Sequence, residues 1–152
     1  MKTGHADKAR ELFNEGYNCS QAVLGAFAED AGLDIKTALR LSAPFGGGMG
    51  RMREVCGGVS GMFMAIGLFF GYDEPDGAQA KKELYSYVRA LADKFKESEG
   101  SIICRELLAG VKTGPDPEPR NTADYKKRPC PELVAYAAQL TEDFLNEHGK
   151  LK

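Results

Sequence analysis

The stretch Pro44–Gly61, PFGGGMGRMREVCGGVSG, decides how the chain is read. It holds seven glycines (Gly46, Gly47, Gly48, Gly50, Gly57, Gly58, Gly61), two arginines (Arg51, Arg53) and Cys56 within eighteen residues. Glycine at this density marks backbone that turns through positive φ or comes close to another group. The stretch runs straight into Met62–Tyr72, MFMAIGLFFGY, which is uncharged and apolar all round. A helix without a polar face is buried on every side. The expectation is a glycine-rich loop leading into a central buried helix that starts at Cys56.

On the N-terminal side, residues 6–15 place Ala9, Leu12 and Phe13 on one face and stop at Gly16, a helix with a glycine end. Asn18 is a good N-cap for the next helix, with Ala22, Val23, Ala26 and Phe27 as its apolar stripe and Cys19 as its first residue. Asp34 caps a short third helix to about Ser42, ended by Pro44. On the C-terminal side, YDEPDG is a turn, and Asp76 can cap a long helix from Ala78 to about Glu97 carrying Leu84, Val88, Leu91 and Phe95. Ser101 caps a helix over SIICRELLAG with Cys104 in its first turn. Residues 111–131 contain five of the seven prolines and almost no apolar periodicity, an irregular segment long enough to serve as a cover. Cys130 precedes a last helix for which Pro131 suits the first position, and which runs to about Glu147. No run shows the period-two alternation of a strand. The fold class is therefore all-α: one domain over residues 1–152, a bundle of about six or seven helices around the central one.

Composition narrows the function. With 20 basic and 22 acidic side chains mixed along 152 residues, there is no electrostatic footprint for nucleic acid or an anionic membrane. The N-terminus reads as an amphipathic helix and not as a signal peptide, so the expected compartment is the cytoplasm. Val55–Tyr72 is eighteen residues without a charge. Its glycines and a helical length of about 22 Å, against a hydrocarbon core of about 30 Å, make it a core helix and not a span. The loop GGGMGR lacks the Lys-Ser/Thr of a phosphate-binding P-loop and has no preceding strand. His5 and His148 lie near the termini and read as solvated, and Glu54, beside Cys56, reads as a solvent-facing charge.

The four cysteines, Cys19, Cys56, Cys104 and Cys130, are 37, 48 and 26 residues apart, so no two share a local ligand motif. Each nevertheless falls at or within the first turn of an expected helix. Free N–H groups and the positive end of the helix dipole meet there and stabilise a thiolate. Three readings follow: reversible thiol–disulfide chemistry, a four-cysteine cage for zinc or an iron–sulfur cluster, or small buried hydrophobes in a helical interaction module. Metal sites usually draw a close pair of ligands from one turn, which counts against the second. Arg51, Arg53 and the glycines Gly46, Gly47, Gly48 and Gly57 are candidates for holding an anion or a thiolate. Cys56, with those groups beside it in sequence, is the expected low-pKa thiol, and Cys19 its expected partner.

The pieces YNCSQAVL around Cys19, APFGGGMGR at Ala43–Arg51, CGGVSGMFMAIG at Cys56–Gly67, CREL at Cys104 and the cysteine before the last helix resemble a family of redox-active proteins named for its cysteine pattern, the C_GCAxxG_C_C family. The resemblance extends from about Ala6 to Leu145. One departure is Gly58, where the family motif has alanine. The resemblance implies that the four cysteines act together and brings no reaction with it; thiol–disulfide oxidoreductase is the reading of the residues themselves, with an unidentified redox partner for which a transport system is one candidate. The resemblance leaves disulfide and metal chemistry both open.

Overall fold

The computed structural model describes residues 4–109, 114–116, 119–120, 122–126 and 128–151. The described residues form an all-α bundle of six helices of eight residues or more: α1 (His5–Asn14), α2 (Cys19–Phe27), α3 (Ile35–Ser42), α5 (Gly57–Phe70), α6 (Ala78–Glu99) and α9 (Cys130–Glu147). Single turns make up α4 (Gly46–Met49), α7 (Cys104–Leu107) and α8 (Ala123–Lys126). Among the described residues, none of these helices is long and apolar enough to cross a membrane.

Side-chain capping sets two of the helix starts. Asn18 accepts from the Gln21 N–H while Gln21 answers to the Asn18 N–H, a reciprocal box at the head of α2. Asp34 accepts from Thr37 N–H at 3.0 Å and starts α3. The long helix α6 begins at Gly77 without a side-chain cap, so the cap expected from Asp76 is not made. Ser101 Oγ accepts from Ile103 N–H at 2.9 Å and α7 then lasts one turn, shorter than the pattern of its sequence suggested.

Two glycines fix how α5 meets α2. A Cβ at Gly57 would stand 3.0 Å from Cys19 Cβ, and one at Gly61 would stand 2.8 Å from Val23 Cβ and 2.9 Å from Ser20 O. Backbone therefore lies on backbone, and because Gly57 meets Cys19 while Gly61 meets Val23, the two helices run parallel with their N-termini side by side. Antiparallel to α9 runs α1, with His5 facing Glu142 and Arg10 facing Glu132. The core between these layers is Phe13, Val23, Leu24, Phe27, Val59, Met62, Ile66, Leu91, Phe95, Val134 and Leu145. Burial on every side holds for α5 only up to Met62. Beyond it Phe63, Phe69 and Phe70 are half-buried and Leu68 is 41% exposed.

His5 is structural and not solvated, whereas His148 is exposed, as its place near the C-terminus suggested. His5 stacks on Phe27 at 4.2 Å and bonds Glu142 Oε1 and Asp30 Oδ2, both at 2.7 Å. His148 stacks on Phe144 at 4.2 Å in a cluster with Phe70 and Tyr87.

Candidate functional site

All four cysteines stand at helix starts: Cys19, Cys104 and Cys130 are the first residues of α2, α7 and α9, and Cys56 is the N-cap of α5. The parallel packing of α2 on α5 brings two of these starts together. A short antiparallel pairing brings in the third. Val55 bridges Ile103, Cys56 N–H donates to Ile102 O at 2.8 Å, and Cys104 N–H donates to Glu54 O at 2.6 Å. Glu54 and Arg105 hold this pairing from outside as a two-pronged ion pair at 3.2 and 3.0 Å, so Glu54 faces solvent as its sequence position suggested.

The glycine loop takes an uncommon path. Gly47, Gly48, Met49, Gly50 and Arg51 follow one another at φ of 67, 74, 66, 60 and 63°. This is a left-handed turn, a conformation that costs an L-residue roughly 1–2 kcal/mol per position. Arg51, Arg53 and Glu54 N–H groups return to the carbonyls of Gly46, Gly47 and Gly48 at 3.2, 3.3 and 2.9 Å, which closes the turn. Gly48 is required twice over, by its φ and by space: a Cβ there would be 2.6 Å from Cys104 Cβ and 2.7 Å from Arg53 Cα.

Together these elements enclose a cavity of about 600 Å³. All ten candidate residues line it: the four cysteines, Gly46, Gly47, Gly48, Gly57, Arg51 and Arg53. Arg120, Tyr125 and Arg128 line it too, and sequence reasoning missed them. Arg128 stands two residues before Cys130, a placement that could have drawn attention, and it is buried. Arg120 closes the end of α1, donating to the carbonyls of Phe13, Gly16 and Tyr17 with its guanidinium 4.4 Å above the Phe13 ring. Arg51 Nε and Nη2 donate to Gly114 O at 3.0 and 2.8 Å, and Arg53 Nη2 to the same oxygen at 3.4 Å. The described part of the proline-rich segment thus lies over the cysteines; the rest of residues 111–131 before α9 is outside the described residues.

The thiols are not equivalent. Cys56 is 5% exposed, and burial pushes it up to about 12 despite hydrogen bonds from the Val59 and Gly58 N–H groups. This reverses the expectation that Cys56 is the low-pKa thiol: burial in the core outweighs the two N–H groups that favour its thiolate. Cys19 and Cys130 lie within hydrogen-bonding reach of each other. The bond to Cys130, then burial, then the charge of Cys130, raise Cys19 well above the ordinary thiol value. Cys130 is lowered to about 7 by the Cys19 hydrogen bond first, with burial opposing and the Arg128 and Arg53 guanidiniums assisting. Arg53 Nη1 also lies 3.7 Å from Cys104 Sγ. Arg53 therefore serves Cys104 and Cys130 and not its sequence neighbour Cys56.

Among the described residues, no group of three or more His, Cys, Asp or Glu side chains is placed to hold a metal ion. The cysteines line one cavity without closing into a cage.

A family model described as "Putative redox-active protein (C_GCAxxG_C_C)" matches residues 17–144. The chain belongs to this family. Membership of the C_GCAxxG_C_C family supports a redox role, and the cavity contains every cysteine of the pattern. Gly58, where the motif carries alanine, fits that motif spatially: a Cβ there would meet Ala137 Cβ at 3.6 Å and Cys56 Sγ at 3.7 Å, ordinary contact distances. No curated protein and no solved structure matches the chain.

Proposed function

We propose that this C_GCAxxG_C_C protein carries out thiol–disulfide exchange, with Cys130 as the attacking thiol and Cys19 as the resolving thiol. The observation that carries the reading is that Cys19 and Cys130, each the first residue of a helix, line the same cavity, with Cys130 lowered and Cys19 raised by their mutual interaction. A thiolate and not a thiol is the nucleophile, and attack is fastest when its pKa is near the ambient pH.

In the first step the Cys130 thiolate attacks one sulfur of a disulfide R–S–S–R. A Cys130–S–S–R bond forms, and RS⁻ leaves with the electron pair. Conversion of the Cys130 thiolate to a disulfide sulfur removes the hydrogen-bonding and charge contributions of Cys130 that hold the proton on Cys19, while burial remains. Cys19 then attacks Cys130 Sγ, the Cys19–Cys130 bond forms, and the proton leaves with the second RS group as RSH. Two protein thiols are oxidised and one external disulfide is reduced to two thiols. In the reverse direction a dithiol reduces the protein. Cys56 stays protonated and buried, and Cys104 stands by the Arg53 guanidinium; neither has to form a bond in this cycle.

The test is mild oxidation of each single Cys→Ser variant, read by mass. Wild type, Cys56→Ser and Cys104→Ser are expected to lose two hydrogens and yield one cross-linked peptide pair containing Cys19 and Cys130. Cys19→Ser and Cys130→Ser are expected to form no internal bond. A cross-link that survives loss of Cys130 would overturn the assignment.

A further inference from the structure

We propose that the cysteine cavity takes a small anionic disulfide, its charge being read by the guanidiniums of Arg53 and Arg120. This rests on the thiol–disulfide reading and adds the substrate class. Size is the first argument. A cavity of about 600 Å³ falls within the roughly 300–1,000 Å³ of small-molecule sites. Cys19 and Cys130 are only half-exposed at its wall, and Cys56 and Cys104 are buried. A disulfide carried on a folded protein surface would not reach sulfurs recessed in this way, whereas a short chain enters.

Charge is the second argument. The described lining residues include four arginines and no Asp or Glu. The described partners of Arg53 and Arg120 are backbone carbonyls, a thiol sulfur and aromatic faces, which leave the positive charge in place. Three guanidinium N–H groups of Arg51 and Arg53 converge on the single oxygen of Gly114 at 3.0, 2.8 and 3.4 Å. Of these, Arg53 Nη2 reaches the oxygen at 3.4 Å, a place from which its guanidinium can also take an anionic oxygen. The starts of α2 and α9 add their positive ends. There is also a chemical need. An anionic nucleophile repels an anionic disulfide, and a positive cavity offsets the repulsion while concentrating the ligand.

The experiment uses the full reduced chain at neutral pH and low salt with three short disulfides of similar length: dithiodipropionate (anionic), hydroxyethyl disulfide (neutral) and cystamine (cationic). The readout is the rate of Cys19–Cys130 bond formation in acid-quenched samples, divided by the rate of each compound with a small neutral thiol. The expected order is anionic, neutral, cationic, with the anionic compound favoured about tenfold or more over the neutral one, and the advantage shrinking as salt is added. In Arg53→Gln the anionic-to-neutral ratio is expected to fall, a ratio unaffected by any change in Cys130 reactivity common to both compounds. If the neutral or cationic compound closes the bond as fast as the anionic one, the anion proposal is overturned and the exchange reading stands. If none of the three closes it, the exchange reading itself is overturned, and this proposal with it.

Discussion

Replacing Cys19 with alanine removes the thiol that bonds Cys130 and leaves Arg128 and Arg53 where they are. That bond is the largest cause of the fall at Cys130 from 9.0 to about 7. A hydrogen bond to a charged group is worth about 1.5–3 kcal/mol, which at about 1.4 kcal/mol per unit is about 1–2 pKa units. The Cys130 value expected in the variant is therefore about 8–9. At pH 7 its thiolate fraction drops from about one half to between about one tenth and one hundredth. Iodoacetamide reacts with the thiolate, so alkylation of Cys130 at pH 7 is expected to slow by about 5- to 50-fold. The assay follows the Cys130 peptide by mass across pH in both proteins. In the wild type the rate rises with pH through a midpoint near 7, because Cys130 is lowered and ionises there. In Cys19→Ala the midpoint moves up while the high-pH plateau, which reports access, stays comparable. A variant midpoint still near 7 would refute the hydrogen-bond argument, and a wild-type midpoint near 9 would refute the low-pKa assignment.

The two central glycines at positions 48 and 58 are expected to behave oppositely. Gly58→Ala meets only ordinary contacts and removes a glycine from the first turn of α5, so urea unfolding should show a gain of roughly 0.4–1 kcal/mol from the less flexible unfolded chain; Gly48→Ala, at φ +74 with Arg53 Cα 2.7 Å from the new methyl, should lose roughly 2–5 kcal/mol from strain and overpacking together. Cys56 gives a pH signature. Its folded value of about 12 lies above the ordinary 9.0, so its contribution to stability is complete below pH 9 and is lost as pH rises toward 12. The stability difference between wild type and Cys56→Ser, both kept reduced, should be flat up to about pH 8 and then decline by roughly 1.4 kcal/mol per unit above about pH 9; curves that stay parallel would refute the raised value. Ser20, fully buried, donates to Ser42 O at 2.7 Å and lies 2.8 Å from Asn18 Oδ1. Ser20→Ala leaves a buried carbonyl without that donor and should cost roughly 1–3 kcal/mol in the same unfolding assay.

What could be read from the sequence was local. Asn18 with Gln21, Asp34 with Thr37, and Pro131 one residue after Cys130 act within a single turn, so they located the helix starts, and with them the position of every cysteine on its element. The glycine run announced a close approach, and Gly48, Gly57 and Gly61 make one. What could not be read was electrostatics across the chain. Arg53 is three residues from Cys56, yet the left-handed turn carries its guanidinium to Cys104 and Cys130. Burial raises the Cys56 thiol instead of leaving it the expected low-pKa nucleophile. Arg128 and Arg120 gain meaning only because the segment containing them passes over the cavity. His5 is tied down by Glu142, 137 residues away, a contact that no sequence period announces.

The left-handed turn ties these points together. Met49, Arg51 and Arg53 hold φ of 66, 63 and 61°, where each L side chain costs roughly 1–2 kcal/mol. Glycine at all three positions would relieve that cost. At two of them it would also remove the guanidiniums that reach Gly114 and, from Arg53, Cys104. The strain therefore falls where the side chain projects into the cysteine cavity, as strain does when geometry at a site is over-determined by its surroundings. A right-handed path over the same residues would aim both arginines elsewhere, leaving Cys130 with Arg128 alone. Met49 has no such account: it does not line the cavity, and nothing in the structure explains why it is not glycine.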